Sequence, residues 1–128
     1  MPKSQGKMEA EICDAFKKLQ RELTGRGPED IKTYILNDMV IIRLRGVLTT
    51  EEKHLAQTET GKKLIKIVRR ELRESHGAKF DKIIKEYTGC GIVSSHSDIS
   101  TKTGERVEIF ILDCDLQNKL TKDKLVDH

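Results

Sequence analysis

The chain has 128 residues, 36% hydrophobic and 35% charged, with a formal net charge of +3. That is the length of one ordinary domain able to bury a core, and the apolar content is too high for a disordered chain. No apolar run approaches the roughly 20 residues that cross a bilayer, and the charge balance is too mild to argue by itself for nucleic acid.

The opening Met1-Pro2-Lys3-Ser4-Gln5-Gly6-Lys7 carries no hydrophobic signal region, so a cytoplasmic location is expected. Cys13, Cys90 and Cys114 are an odd count without close pairs, and they are expected as reduced thiols.

Residues 1 to about 6 read as a lead-in. From there Met8, Ile12, Phe16, Leu19 and Leu23 recur at spacings of three and four, the stripe of an amphipathic helix. Gly25-Arg26-Gly27-Pro28 stops it, with Gly25 suited to a left-handed cap. A two-residue turn at Asn37-Asp38 then fixes the register of a hairpin. One face pairs Ile35 with Val40, Thr33 with Ile42 and Ile31 with Leu44, and this is the core face. The other pairs Leu36 with Met39, Tyr34 with Ile41 and Lys32 with Arg43, with Arg45 following. That second face is apolar near the turn and basic at its far end, which predicts partial cover by a helix or a partner subunit. A one-residue slip would bury Arg43 and Arg45, so the register is strongly set.

Thr49 and Glu52 form a capping box that starts a short helix near Thr50, running to about Gln57. Thr58-Glu59-Thr60-Gly61 is a break or a second cap. Leu64, Val68, Leu72, His76, Phe80, Ile83, Ile84 and Tyr87 then hold helical spacing as far as Thr88, and His76-Gly77 can kink or split that helix. Gly89 and Gly91 mark the switch to a second hairpin. Its return strand, Arg106 to Leu112, is apolar on both faces and belongs in the middle of the sheet. Beyond Asp113, only Leu116, Leu120 and Leu125 break a polar stretch, giving a tail or marginal helix over 114–128 after a single domain spanning 7–113. The expected fold is α+β, in the order α-β-β-α-α-β-β. Two β-hairpins form an antiparallel sheet with helices packed over one face.

The first strand of the second hairpin is unusual. Ser94-Ser95-His96-Ser97-Asp98 puts hydroxyls, an imidazole and a carboxylate where branched hydrophobes are favoured. Alternation sends Ser94, His96 and Asp98 to one side and Ser95 and Ser97 to the other, with His96 and Asp98 roughly 6–7 Å apart. A serine–histidine–acid nucleophile is disfavoured, because residues two apart on a strand seldom meet well enough for proton transfer. A metal site on His96 and Asp98 would need His54, His76 or Cys90, and no ligand-spaced motif supports it. More economically, the serines admit a close-packed helix or subunit while His96 and Asp98 make local hydrogen bonds. Ser100-Thr101-Lys102-Thr103-Gly104-Glu105-Arg106 could present donors to an anion, although ordinary turn chemistry also accounts for it. Lys62, Lys63, Lys66, Arg69, Arg70 and Arg73 against Glu71 and Glu74 leave +4 (six minus two) on one helix. Such a helix could meet nucleic acid or an acidic membrane. With no Trp and five aromatics (3 Phe, 2 Tyr), stacking platforms are scarce.

Thr24-Gly25-Arg26-Gly27-Pro28, Asp38-Met39-Val40-Ile41, Arg43-Leu44-Arg45-Gly46-Val47-Leu48-Thr49 with Glu52, and Thr88-Gly89 resemble the MpsC-like family. The most specific match is His96-Ser97-Asp98-Ile99-Ser100-Thr101-Lys102-Thr103-Gly104-Glu105-Arg106. The resemblance spans about residues 8 to 113. By the family name it implies association with a sodium-translocating, membrane-potential-generating system, and with cation or bicarbonate uptake. It supplies no catalytic residues.

The expected function is a non-enzymatic, soluble accessory or regulatory protein without cofactor, acting by protein or small-anion binding as a homodimer. Its binding residues are expected to be Ser94, His96, Asp98, Ser100, Thr101, Lys102, Thr103 and Arg106, with Arg43 and Arg45. The alternatives are nucleic-acid binding through 62–73 and a metal-dependent enzyme centred on His96 and Asp98.

Overall fold

The structure is a computed structural model that describes residues 4–126. Helix α1 (Gln5–Thr24) is capped by the Ser4 hydroxyl, which accepts from Lys7 N–H, and ends at Gly25 with φ 82°. Its buried face is Met8, Ile12, Phe16 and Leu19, the predicted stripe. Strands β1 (Asp30–Leu36) and β2 (Met39–Arg45) pair in the derived register, from Leu36 opposite Met39 to Ile31 opposite Leu44. Asn37 makes the turn with φ 54°, a left-handed conformation that Asn tolerates. Helix α2 (Thr50–Leu55) opens on the predicted capping box, with both reciprocal hydrogen bonds present. Thr58 caps α3 (Glu59–Ser75), and the chain breaks at His76 before α4 (Gly77–Thr88). Strands β3 (Ile92–Ile99) and β4 (Arg106–Leu112) form the second hairpin, followed by α5 (Leu116–Val126).

The four strands are antiparallel in the order β1-β2-β4-β3, which makes β4 central, as expected. Ile35, Val40, Ile42, Leu44, Phe110 and Leu112 are buried beneath the helices, along with Leu116 and Leu120 from α5. Phe16 sits at the middle, 5.4 Å from Phe80 and 6.0 Å from Phe110 between ring centroids. Burying each such side chain contributes about 1.5–3 kcal/mol. The free edge of β1 is guarded by α1: Gln5 Nε2 donates to Ile35 O at 3.0 Å, and Glu9 accepts from Ile35 N–H at 2.8 Å. A shielded edge does not recruit another strand.

Two expectations are corrected. Leu64, Val68 and Leu72 do not face the core. With Ile67 they lie outward, at 49%, 52%, 50% and 56% exposed, whereas α3 buries Gly61, Ile65, Arg69 and Arg73. The carboxylates of Glu52 and Glu108 beneath the helix explain this roll. Leaving the fully buried Glu108 without its partner would cost about 3–5 kcal/mol. Half-exposing four aliphatic side chains forgoes roughly 1 kcal/mol each.

The second correction concerns the cysteines. Cys90 and Cys114 are joined in a disulfide, and Cys13 is the free thiol. The β3–β4 ladder pairs Ile92 with Leu112, and Asp113 N–H donates to Gly91 O at 3.0 Å. Extending that pairing by one step brings residues 90 and 114 together, with Cα atoms 6.1 Å apart. Their distance in sequence hides a proximity that the hairpin register creates.

Candidate functional site

All the helices lie on one side of the sheet, and α3 runs beside the edge strand β3. Between them is a cleft of about 350 Å³ lined by Lys66, Arg69, Arg70, Arg73 and Glu74 of α3, residues 95–99 of β3 and Arg106 of β4. The spacing of Lys66, Arg69, Arg70 and Arg73 puts these cations on adjoining turns of one helix. On the sheet, Ser97 pairs with Glu108 and Ile99 with Arg106. Residues directly opposite on neighbouring strands share a face, so these side chains form the floor under α3.

The floor is built around one carboxylate. Glu108 is 1% exposed and accepts from Arg73 Nε at 2.9 and 3.1 Å and from the Ser97 hydroxyl at 2.7 Å. The Arg73 guanidinium also lies 4.2 Å from the Phe80 ring centroid, a cation–π contact. Arg69 forms a second pair, partly buried, donating to both Glu52 oxygens and from Nη2 to Val47 O at 2.7 Å. Burial alone would raise the Glu52 carboxyl, but the bonds from Arg69 and the Thr49 N–H outweigh it and hold its pKa below the ordinary value.

Arg106 is different. It is 6% exposed, and its Nε lies 3.5 Å from Glu108 Oε1 without making a hydrogen bond. The ion-pair distance and the missing hydrogen bond are compatible, because charge attraction tolerates an angle that a hydrogen bond does not. Its Nη2 reaches Arg69 O at a long 3.5 Å. Burial lowers the Arg106 pKa; Glu108 opposes that shift, and the neighbouring Arg69 and Arg73 add to it. The group remains a guanidinium at any ordinary pH, so the cleft holds a buried cation with an unused donor. Counting Glu52 and Glu108 with the lining, five cations face four carboxylates.

The predicted binding residues are divided among several places. Ser94, His96 and Asp98 alternate onto the sheet face away from the helices, opposite Ile111, Ile109 and Val107. Ser94 Oγ lies 3.3 Å from His96 Nε2. Since β3 is the edge strand, Asp98 still reaches Lys66 Nζ at 3.3 Å across the cleft mouth. Burial would raise the Asp98 carboxyl, but the Ile99 N–H and Lys66 more than offset it and lower its pKa. Ser100, Thr101 and Lys102 line a shallow continuation of that mouth beside Lys66 and Asp98. The hydroxyls of Ser100 and Thr103 accept from Thr103 N–H and Glu105 N–H within the turn, so these two are engaged locally. Arg43 and Arg45 stand apart on the open sheet face, where both meet Glu105 Oε2, at 2.9 and 3.5 Å. Arg106, expected among the binding residues, is buried under α3.

His54, His76 and Cys90 do not gather around His96 and Asp98. Among the described residues, the cluster with metal-ligand spacing is Cys90, Asp113 and Cys114. Its two sulfurs are joined, and Asp113 Oδ1 accepts from Gly91 N–H at 2.9 Å. Sequence reasoning missed Arg69, Arg73, Glu52 and Glu108 as one site. The available signal was i, i+4 spacing of two arginines together with a lone Glu inside an apolar central strand.

A family model described as "Na+-translocating membrane potential-generating system (MpsC)" matches residues 4–114. The uncharacterized protein YbcI of Bacillus subtilis (strain 168) is 40% identical over 122 residues, covering 95% of this chain and 98% of its own. The uncharacterized protein YrhF of the same organism is 30% identical over 104 residues, covering 80% of this chain and 85% of its own. No solved structure matches significantly. Among the described residues no helix is long and apolar enough to cross a membrane.

Proposed function

The chain belongs to the MpsC family, and from that premise we propose that it is a non-enzymatic accessory component of a membrane-potential-generating system that binds a small oxyanion between α3 and β3. The observation that carries this reading is Arg106, a buried guanidinium with an unused Nε donor in the lining of a cleft rich in cations. A planar, forked cation is suited to carboxylate-like and phosphate-like oxygens. The volume suits such an ion with some of its water. Lys66 and Arg70 at the mouth supply long-range attraction.

This reading accounts for α3 better than nucleic-acid binding does. Two of the six cations counted from the sequence, Arg69 and Arg73, are turned inward onto Glu52 and Glu108. Much of the outward surface of the helix is aliphatic. An extended phosphate backbone would meet fewer charges than the composition promised.

The test is titration of the full chain with phosphate and with bicarbonate against chloride at constant ionic strength. Thermal unfolding is followed by far-UV circular dichroism, since the chain has no Trp, and binding by calorimetry. Stability should rise with one of the oxyanions by about 2.7 kcal/mol at a hundredfold excess over its dissociation constant. Lys66→Ala and Arg70→Ala should each weaken binding, with the loss shrinking as ionic strength rises, as expected for long-range attraction from exposed charges. If no oxyanion shifts the transition beyond chloride, the reading fails. Association with the membrane system is tested separately by affinity capture from membranes, where equal recovery of unrelated membrane proteins would count against it.

A further inference from the structure

The sheet face away from the helices has no element of the described chain over it. Register places four side chains in each row across the strands: Leu36, Met39, Ile111 and Ser94; then Tyr34, Ile41, Ile109 and His96; then Lys32, Arg43, Val107 and Asp98. None of the aliphatic members of these rows joins the core cluster, and Tyr34 and Leu36 are 43% and 46% exposed. Two adjoining rows are thus mainly apolar, and a contiguous apolar face rimmed by charge marks an interaction surface.

The charges at its two ends differ. At one end of β2 Lys32, Arg43 and Arg45 are balanced in part by Glu105 and Asp98, whereas Asp38 lies in the turn at the other, near Asp113 and Asp115. We propose that this face binds a second copy of the chain, sheet against sheet, about a two-fold axis running across the strands. Such an axis lays each strand over its own counterpart in reversed direction. The Ile41–Ile109 row then stacks on itself, Val107 meets Ile111, and the Arg43–Arg45 end meets Asp38. An axis running along the strands would instead put the acidic ends together, Asp38, Asp113 and Asp115 against their own copies. Charge complementarity therefore selects one of the two face-to-face arrangements, as it does for register at other interfaces. Sheets packed this way sit about 10 Å apart with their apolar side chains interleaved. This inference is independent of the anion cleft, which lies on the opposite side of the sheet.

The experiment is sedimentation velocity on the full chain from low to high micromolar concentration, with Ile109→Lys at the centre and Val68→Lys on the outward stripe of α3 as the contrasting variant. The expected result is a dimer that Ile109→Lys dissociates, with the dissociation constant raised roughly a hundredfold or more, as for an interface hot spot. Val68→Lys should leave the dimer unchanged. Arg45→Glu and Asp38→Lys should each weaken association, and the double variant should recover it. That recovery cannot come from a misfolded chain, so the outcome does not depend on Ile109→Lys folding. A monomeric parent protein at every concentration, loss of the dimer in Val68→Lys alone, or failure of the double variant to recover association would each overturn the proposal.

Discussion

Replacing Glu108 by Gln should destabilise the fold far more than the loss of one charge suggests. The carboxylate is 1% exposed and serves three partners: Arg73 Nε at 2.9 Å, the Ser97 hydroxyl at 2.7 Å and Arg106 Nε at an ion-pair distance of 3.5 Å. Gln keeps the shape and one carbonyl acceptor, so the Ser97 bond and one bond from Arg73 can survive. The countercharge cannot. Two guanidiniums, 9% and 6% exposed, are left in a low-dielectric floor with a neutral neighbour. Breaking a buried pair by removing one partner costs about 3–5 kcal/mol, a large share of the 5–15 kcal/mol that holds a typical domain folded. Removing Arg73 instead, as Met, leaves Glu108 facing Arg106, and the new side chain can still lie against Phe80. That variant should lose appreciably less than Glu108→Gln. Urea denaturation followed at 222 nm compares the two at fixed pH and salt. A loss below about 1 kcal/mol for Glu108→Gln, the size of an ordinary surface change, would refute the picture of a carboxylate neutralising the arginine floor.

Gly61→Ala should destabilise although Ala is the better helix former by about 1 kcal/mol. A Cβ there would stand 1.8 Å from the Leu55 carbonyl oxygen, so α2 and α3 must move apart, an overpacking cost of about 1–3 kcal/mol readable in the same urea series. Glu52 contributes stability above its unfolded pKa, because its folded pKa is depressed. That contribution should fade as pH falls below about 4.5, the ordinary value for the carboxyl, and Glu52→Gln should remove this part of the acid sensitivity when melting is followed from neutral pH downward. The Cys90–Cys114 bond closes a sequence separation of 24 residues, for which chain-entropy arguments give about 3.5 kcal/mol. Reduction, or Cys90→Ser, should lower stability by up to that amount, and an unchanged midpoint after complete reduction would show that the bond is dispensable.

Much of the fold was legible because its signals are local. The Asn37-Asp38 turn allows one register that keeps Arg43 and Arg45 out of the core, and Thr49 with Glu52 gives a helix start three residues deep in sequence. Likewise, apolar residues on both faces of 106–112 demand a neighbour on each side. What was not legible depends on partners remote in sequence. Apolar periodicity in α3 assigned Leu64, Val68 and Leu72 to the core, yet Arg69 answers Glu52 and Arg73 answers Glu108, across separations of 17 and 35 residues. No pattern within the helix reveals those carboxylates. The disulfide was hidden for the same reason, since only the completed hairpin brings residues 90 and 114 together. Of the candidate site, the alternation along the polar strand is legible, and the side chains on the helix-covered face are those of Ser95 and Ser97. His96 and Asp98 drew attention because their chemistry is familiar. Ser97, bonded to Glu108, sits closer to the buried charge.

The inner face of α3 explains why the cleft and the helix belong together. Ile65 is the one aliphatic residue among the four that α3 buries, with Gly61, Arg69 and Arg73. Its attachment to the sheet therefore rests largely on the ion pair of Arg73 with Glu108 of β4, while Arg69 ties it to Glu52 of α2. Ionic attachment of this kind responds to what occupies the cleft. An oxyanion that satisfies Arg106 relieves the repulsion among three neighbouring guanidiniums and leaves Glu108 to Arg73, so it tightens the helix against the sheet. Chloride, lacking forked oxygens, screens the same charges without replacing the missing hydrogen bond. Stabilisation by an oxyanion beyond that of chloride at equal ionic strength is thus the signature that separates a site from a charged surface. Arg106→Leu, which removes the unused donor while keeping an apolar stem, should abolish that difference while leaving the response to chloride in place.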